Sequence, residues 1–219
     1  DPATLARGKE LGLDGFRFYL LGRCGVLGDV EAKVAQSAMG YFEPGMVEKL
    51  WDSARDRVQP REAGREYLAC AQTFGVTKFS GLDGLAAYAD AAQNVITAQD
   101  PAALALFSGI AAEPLASDPA ALAMQMTTVL REMRGSVHLV ALTACGLSPQ
   151  MAHRVRRPDD IAMFGWHEGV EVTDDHHTRW QTAETLTDEM LVAAWSCLTE
   201  AEGQTIIDTV SAMQAVLAE

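Results

Sequence analysis

The chain has 219 residues, with 17 Lys and Arg against 30 Asp and Glu, so its formal net charge is −13. At 48% apolar and 21% charged residues its composition is that of a globular protein, which excludes disordered and collagen-like chains. The acidity argues against nucleic acid as a partner, because neutralising phosphates requires a surplus of Lys and Arg.

The cysteines and the apolar stretches indicate the cellular location that we expect. The four cysteines are Cys24, Cys70, Cys145 and Cys197. They form no CxxC pair, which favours reduced core thiols in a cytoplasmic protein over a disulfide framework or a metal site. The longest stretch without Lys, Arg, Asp or Glu is 135–153. Its continuous apolar part is well below the roughly 20 residues of a membrane span, so no membrane segment is predicted.

The first eighty residues show apolar positions at helical spacing and almost no strand alternation. Residues 13–24 and 29–41 follow this spacing, and Asp29 is placed to cap the second segment. Pro44 suits the first turn of a further helix.

The middle of the chain continues the helical pattern. Ser80 and Asp83 form an S-x-x-D start for an alanine-rich helix. The proline steps within 100–119 predict a hinge or loop. Residues 120–144 are apolar around most of the helix circumference, which predicts a buried helix, and Gly146 suits its C-terminal end.

Beyond Gly146 the pattern predicts several short helices and a longer terminal one. Ser148 and Pro149 provide a cap and a first turn. The predicted helical segments are 150–157, 159–164, 174–186 and 187–198, followed by a capping box at 199–202 that starts the last helix. The expected fold class is therefore all-α, with a helical bundle over 1–146 and a degenerate winged-helix-like part over 147–219.

The end of the chain resembles winged-helix domains at one step. The segment Leu198–Gly203 is similar to the L-T-x-x-G step that follows a wing, and 192–198 would then supply the wing strands. The best candidate recognition helix, Thr173–Leu186, carries three acidic residues against the single Arg179. We therefore expect no nucleic acid, and a winged-helix shape that serves packing or a homodimer.

A broader resemblance rests on several segments of the sequence. They are Leu11–Phe16, Tyr19–Arg23, Leu27–Val30, the R-E-x-R-G-x-x-H segment within Leu130–His138, and Gly165–Trp166. Together they resemble a family of actinobacterial helical proteins that is catalogued as helix-turn-helix-like and has no settled activity. The resemblance implies a helix-turn-helix-like fold, and the acidic, compressed C-terminal region departs from the family pattern.

The R-E-x-R-G-x-x-H segment carries the candidate ligand site. Arg131, Arg134 and His138 are spaced i, i+3 and i+7, so a helix would place them in one polar stripe, with Glu132 to one side. Charged groups on a buried helix have to be paired. Gly135 removes a side chain and allows another backbone or a ligand to approach closely.

Two interpretations of this stripe are open. In the first, the arginines and His138 form an anion pocket, with guanidinium groups as bidentate clamps and the imidazole as a donor or proton carrier. In the second, they form an internal salt-bridge network with acids such as Glu132 or Asp14.

Other residues are candidates for a site. Arg23 and Cys24 could place a guanidinium and a thiolate at a helix end, against the alternative of a packed thiol. Trp166 and His167 could line a pocket entrance, against ordinary packing between helices. The basic cluster 153–157 is expected to be exposed, with anion binding as the less favoured interpretation.

Three classes of function follow. The leading hypothesis is a small-molecule-binding protein, whose ligand has an apolar body in a methionine-lined cavity and an anionic or polar end on the stripe. The alternatives are a winged-helix-type transcription regulator and an enzyme that uses His138 as its acid or base. No nucleophile motif, phosphate-binding loop or metal triad is present, so neither an enzymatic activity nor a cofactor is assigned.

Overall fold

The protein, described by a computed structural model, is built from helices. The structure describes residues 1–166, 169 and 171–218, and within them no strand occurs, so the all-α prediction is confirmed. The α-helices are α1 (Pro2–Glu10), α2 (Gly15–Cys24), α3 (Ala32–Met39), α4 (Pro44–Arg55), α5 (Pro60–Phe79), α6 (Leu85–Ala98), α7 (Ala105–Ala111), α8 (Pro119–Ala144), α9 (Pro149–Arg156), α10 (Asp174–Trp195) and α11 (Glu200–Ala218). Short 3-10 helices lie at Gly25–Leu27 and Pro158–Phe164. None of the helices in the described ranges combines the length and apolarity that a membrane span needs.

The long helix α8 is the centre of the fold. It begins where predicted, because Asp118 Oδ1 accepts hydrogen bonds of 2.9 Å from the backbone N–H groups of Ala120 and Ala121. It runs for 26 residues, about 39 Å at the usual rise of an α-helix. Gly146, with φ +65°, follows its last turn. Helices α5, α6, α7 and α10 all pack against α8.

The main apolar core extends across the chain. Its fully buried members include Trp51, Phe79 and Tyr88, and it also takes Leu191 from α10 and Met213 from α11. The core therefore contains residues from both sides of position 146, and the division into parts 1–146 and 147–219 stays a prediction.

Helices α5 and α8 approach each other closely at Gly75. A Cβ atom at this position would lie 2.5 Å from the carbonyl oxygen of Ala120 and 2.6 Å from the Cβ of Met124. Only a glycine allows this separation, since neither neighbour is the end of a flexible side chain.

Two helices begin later than predicted. Helix α3 starts three residues after Asp29, whose carboxylate instead lies 3.3 Å from the guanidinium of Arg55. The hydroxyl of Ser80 donates to the carbonyl of Val76 at the end of α5, so it does not cap a new helix. Helix α6 begins only after Gly84, which has φ +81°. In both cases the polar side chain that was predicted to cap the helix interacts with another group instead.

The loop and wing predictions also differ from the structure. Helix α7 lies inside the predicted loop 100–119. Residues 174–195 form one continuous helix, so the predicted break after 186 and the wing strands at 192–198 are wrong; this segment is helical to Trp195 and then turns. The physical reason is burial, because Leu191 and Ala194 lie on the side of α10 that packs into the core. The capping box at Thr199 is confirmed by a 2.8 Å hydrogen bond from its backbone N–H to Glu202.

Substitution of Gly75 tests the close approach of α5 and α8. We expect Gly75→Ala to lower the free energy of unfolding by about 1–3 kcal/mol through overpacking. The matched control is Gly203→Ala in α11, where an added Cβ meets nothing within 4 Å; it should raise stability by up to about 1 kcal/mol. Urea denaturation measures both, and equal effects of the two substitutions would contradict the packing described.

Candidate functional site

A cleft of about 780 Å³ lies along α8. Arg131, Arg134 and His138 all line it, as the spacing predicts, and α10, α9, α2 and the turn after α3 supply much of the remaining wall. The two arginine side chains are about half exposed, at 53% and 49%, whereas that of His138 is only 8% exposed. The sequence places this stripe on a mostly buried helix, but the two arginine side chains are half exposed because α8 presents them to the open cleft.

Glu132 is a buried acceptor among the residues that line the cleft. Its carboxylate, 5% exposed, accepts a two-pronged hydrogen bond from Arg23, with Nε to Oε1 at 2.9 Å and Nη2 to Oε2 at 2.8 Å. Arg131 donates to the same carboxylate at 2.9 Å. Burial works to lower the pKa of Arg23, but its hydrogen bonds to Glu132 and the attraction of that carboxylate and of nearby Tyr19 and Cys24 together outweigh burial and raise it. Glu132 is thus the predicted internal partner, and Arg23 reaches it from α2.

A second polar cluster joins α8 to α10. Arg134 Nη2 lies 2.7 Å from Glu184 Oε2, and His138 Nε2 lies 3.5 Å from Glu184 Oε1. The other ring nitrogen of His138, Nδ1, is 2.8 Å from Thr187 Oγ1. Sequence reasoning missed Glu184 and Thr187, since no local pattern relates them to residues about fifty positions earlier. The other suggested acid, Asp14, instead caps α2 and pairs with Arg17.

Cys24 is a packed thiol. Its sulfur is buried at the end of α2, 3.9 Å from the carbonyl oxygen of Ala35, and burial raises the pKa of the thiol to about 12. A thiolate at this helix end is therefore unfavourable. All four cysteines are free, but the expectation of core thiols holds for Cys24 alone, because Cys70 and Cys145 are half-buried and Cys197 is exposed.

Trp166 does not line the cleft, and its side chain is hydrogen-bonded elsewhere. Its indole Nε1 donates a 2.8 Å hydrogen bond to the carbonyl oxygen of Tyr41. This bond ties the chain after the second 3-10 helix to the turn after α3, and that turn supplies Tyr41 to the cleft. The companion candidate His167 lies outside the described residues.

His153 is a cleft residue that was wrongly expected on the surface. It is only 6% exposed, lines the cleft, and its ring centroid lies 4.0 Å from that of Phe164. Its Nε2 atom is buried without a hydrogen-bond partner in the described part of the chain. Arg156 and Arg157 of the same basic cluster also line the cleft. The cluster itself was the available signal, but the sequence does not show which way α9 faces.

Gly135 leaves open space at the centre of the α8 lining. A Cβ atom added there would meet no atom within 4 Å, and the residue faces the cleft. No backbone uses the missing side chain, in contrast to Gly75. In the middle of a helix a glycine lowers stability by about 0.5–1 kcal/mol relative to alanine, so packing does not account for it.

The pairing of Glu132 predicts a large stability loss on its removal. Glu132→Ala should lower the free energy of unfolding by about 3 kcal/mol, because Arg23 would keep a buried charge without its partner. The control Glu10→Ala removes an acid that is 65% exposed and pairs with Arg7 on the surface, and it should leave stability nearly unchanged. Chemical denaturation compares them, and a similar small loss for both would show that the Arg23 pair is not essential to the core.

The two cleft histidines predict an acid-sensitive fold. Burial lowers the pKa of His138, assisted by Arg134 and opposed by Glu184 and Asp188. Burial and Arg157 lower that of His153, which Asp160 opposes. The unfolded chain therefore binds more protons in the range between the lowered folded-state pKa values and the unfolded value of about 6.5, and stability should fall as the pH decreases through this range.

The variant His153→Phe isolates one of these contributions. It should raise the free energy of unfolding, because an apolar ring replaces a buried nitrogen without a partner. It should also make the loss of stability with falling pH less steep, because one titrating group is removed. Thermal unfolding across this pH range measures the effect. A steeper decrease in the variant would contradict the assignment.

Comparison with known proteins assigns most of the chain to a protein family. A family model described as a helix-turn-helix family matches residues 1–163. No curated protein and no solved structure matches the chain. The matched range includes Arg23, Glu132 and His138, but it ends before α10, which supplies Glu184 and Thr187.

Proposed function

We propose that this chain, which belongs to the helix-turn-helix family, binds a small molecule with an apolar body and an anionic end in the cleft along α8. The family membership concerns the fold, and a ligand has to be argued from the cleft itself.

The observation that carries the proposal is the open space at Gly135. Glycine destabilises the interior of a helix, and no atom of the described protein occupies the space that a side chain at position 135 of α8 would fill. The room is in the cleft, between Arg131 and Arg134 on one side and His138 on the other. A bound molecule lying against the α8 backbone would use it.

The charges of the lining favour an anion. Five arginines and two glutamates line the cleft of a chain whose net charge is −13. Glu132 and Glu184 already have arginine partners, and Arg156 has no ion pair among the described residues. A ligand with a carboxylate, sulfonate or phosphate would complete this set of charges.

The apolar part of the lining is rich in aromatic rings. Three of the four tyrosines and two of the four tryptophans face the cleft. The expected methionine lining is present only in part, with Met39 and Met133 but neither Met124 nor Met126. Aromatic walls with a few polar groups are typical of small-molecule sites, and they favour a planar ligand body.

A transcription regulator is the second candidate, and the observation in its favour is the family match itself, which suggests a DNA-binding type of fold. The described structure presents few basic side chains on a surface that could bind the phosphates of DNA. The first turns of α10 carry Asp174 and Asp175, and the basic residues Arg156 and Arg157 of the α9 region line the cleft. The small-molecule proposal therefore comes first.

The cleft predicts binding of an aromatic anion. Anilinonaphthalene sulfonate, whose fluorescence rises in apolar surroundings, should bind saturably to the native protein. In Gly135→Leu the added Cβ meets no atom within 4 Å and the longer side chain should occupy cleft space, so we expect the fold to persist while binding weakens by about tenfold or more. Fluorescence titration gives the affinity, and circular dichroism gives the fold.

The matched control is Gly203→Leu. This glycine also lies in a helix, has open space at its Cβ position, and does not line the cleft. Its affinity for the dye should equal that of the native protein. Equal binding by both leucine variants would place the dye elsewhere and remove the support for the cleft.

The charge distribution predicts weak interaction with DNA. The protein should not retard a duplex in a gel shift even at low salt, because its acidic surface repels phosphate. A retarded band that disappears in the double variant Arg156→Glu, Arg157→Glu would instead favour the regulator, with the α9 region as its interface.

The remaining expectations stay predictions. They are the actinobacterial origin, the cytoplasmic location, the homodimer, and the use of His138 in an enzymatic reaction.

A further inference from the structure

We propose that the polar end of the ligand carries a hydrogen-bond donor, a hydroxyl or an N–H group, that binds to Nε2 of His138 beside Glu184. This inference rests on the proposed function and adds the chemical class of the group that the cleft recognises. It concerns the cluster that joins α8 to α10.

The first step is the hydroxyl of Thr187. Its oxygen lies 2.6 Å from the carbonyl oxygen of Ala183, one turn earlier in α10. Two oxygens are this close only when a hydrogen lies between them, and a carbonyl has none to give. A threonine hydroxyl has a single hydrogen, so that hydrogen is committed to Ala183.

The second step is the tautomer of His138. Its Nδ1 lies 2.8 Å from the same Thr187 oxygen. Because the hydroxyl hydrogen is used elsewhere, Nδ1 has to be the donor of this bond. In a neutral ring the other nitrogen, Nε2, then carries a lone pair and no hydrogen.

The third step is the surroundings of Nε2. It lies 3.5 Å from Oε1 of Glu184, so an imidazole lone pair and a carboxylate oxygen converge, and none of the described residues donates a hydrogen bond between them. Glu184 receives its hydrogen bond from Arg134 on its other oxygen, Oε2. Both acceptors line the cleft. Among the described residues the two acceptors therefore lack a donor, and a ligand in the cleft would be placed to supply one.

Protonation of His138 at Nε2 is the alternative way to satisfy the two acceptors. It would convert the two acceptors into an ion pair between His138 and Glu184. Burial of the ring and the nearby Arg134 oppose this charge, while Glu184 and Asp188 favour it. Near neutral pH we expect the neutral ring, with Thr187 acting as a positioning residue that holds Nε2 as an acceptor.

The premise is tested without any ligand. Heteronuclear NMR of the imidazole nitrogens near neutral pH should show His138 with a proton on Nδ1 and none on Nε2. In Thr187→Val the acceptor for Nδ1 is lost, and the proton should move to Nε2, where Glu184 accepts it. Thr187→Ser keeps the hydroxyl and should restore the native tautomer. A proton on Nε2 in the native protein would overturn the proposal.

The ligand preference is tested with naphthoate and its monohydroxy and monoamino derivatives, each displacing anilinonaphthalene sulfonate. At least one derivative should bind about 3- to 10-fold more tightly than naphthoate to the native protein, as expected for one added hydrogen bond. This ratio should fall to about one in Thr187→Val and recover in Thr187→Ser. If no derivative has an advantage, or if the advantage persists in Thr187→Val, the proposal is wrong.

Failure of this inference and failure of the proposed function give different results. If the dye and naphthoate do not bind, or bind equally well to Gly135→Leu, the cleft is not a ligand site and both proposals fail. If they bind in the cleft but no donor-bearing derivative gains affinity, only the recognition by His138 fails.

Discussion

The need to pair the buried carboxylate of Glu132 shapes this protein. Burying an unpaired charge in an apolar interior costs so much free energy that the fold has to position oppositely charged groups beside it. Arg23 meets it with two hydrogen bonds from α2, and Arg131 adds a third from the next position of α8. The ionic contact therefore joins two helices whose paired residues are more than a hundred positions apart in sequence, and these residues line the cleft.

The surroundings of helix α8 change along its length. Near its start, Gly75 of α5 packs so tightly against Ala120 and Met124 that a methyl group would collide with them. Farther along, Gly135 faces empty space in the cleft. The first part of the helix therefore packs closely against α5. The later part carries the arginines and the histidine that line the cleft.

The family match and the cleft extend over different parts of the chain. The matched residues 1–163 contain α8 and its arginines, while α10 lies beyond them. Yet α10 supplies Glu184 and Thr187, which orient the side chains of Arg134 and His138. The polar cluster around His138 therefore depends on a helix outside the family segment, and the ligand recognition that we propose requires α10 as well as that segment.

The sequence by itself determined the all-α class, the extent of α8, the capping box at Thr199, and the common helix face of Arg131, Arg134 and His138. Each of these depends on residues within a few positions, because caps and helical periodicity are local. Only the tertiary structure decided that Arg23 is the main partner of Glu132, that Glu184 and Thr187 complete the cluster around His138, that His153 is buried, and that the expected wing is helix. These features depend on which helix faces are brought together, and packing between distant segments decides that.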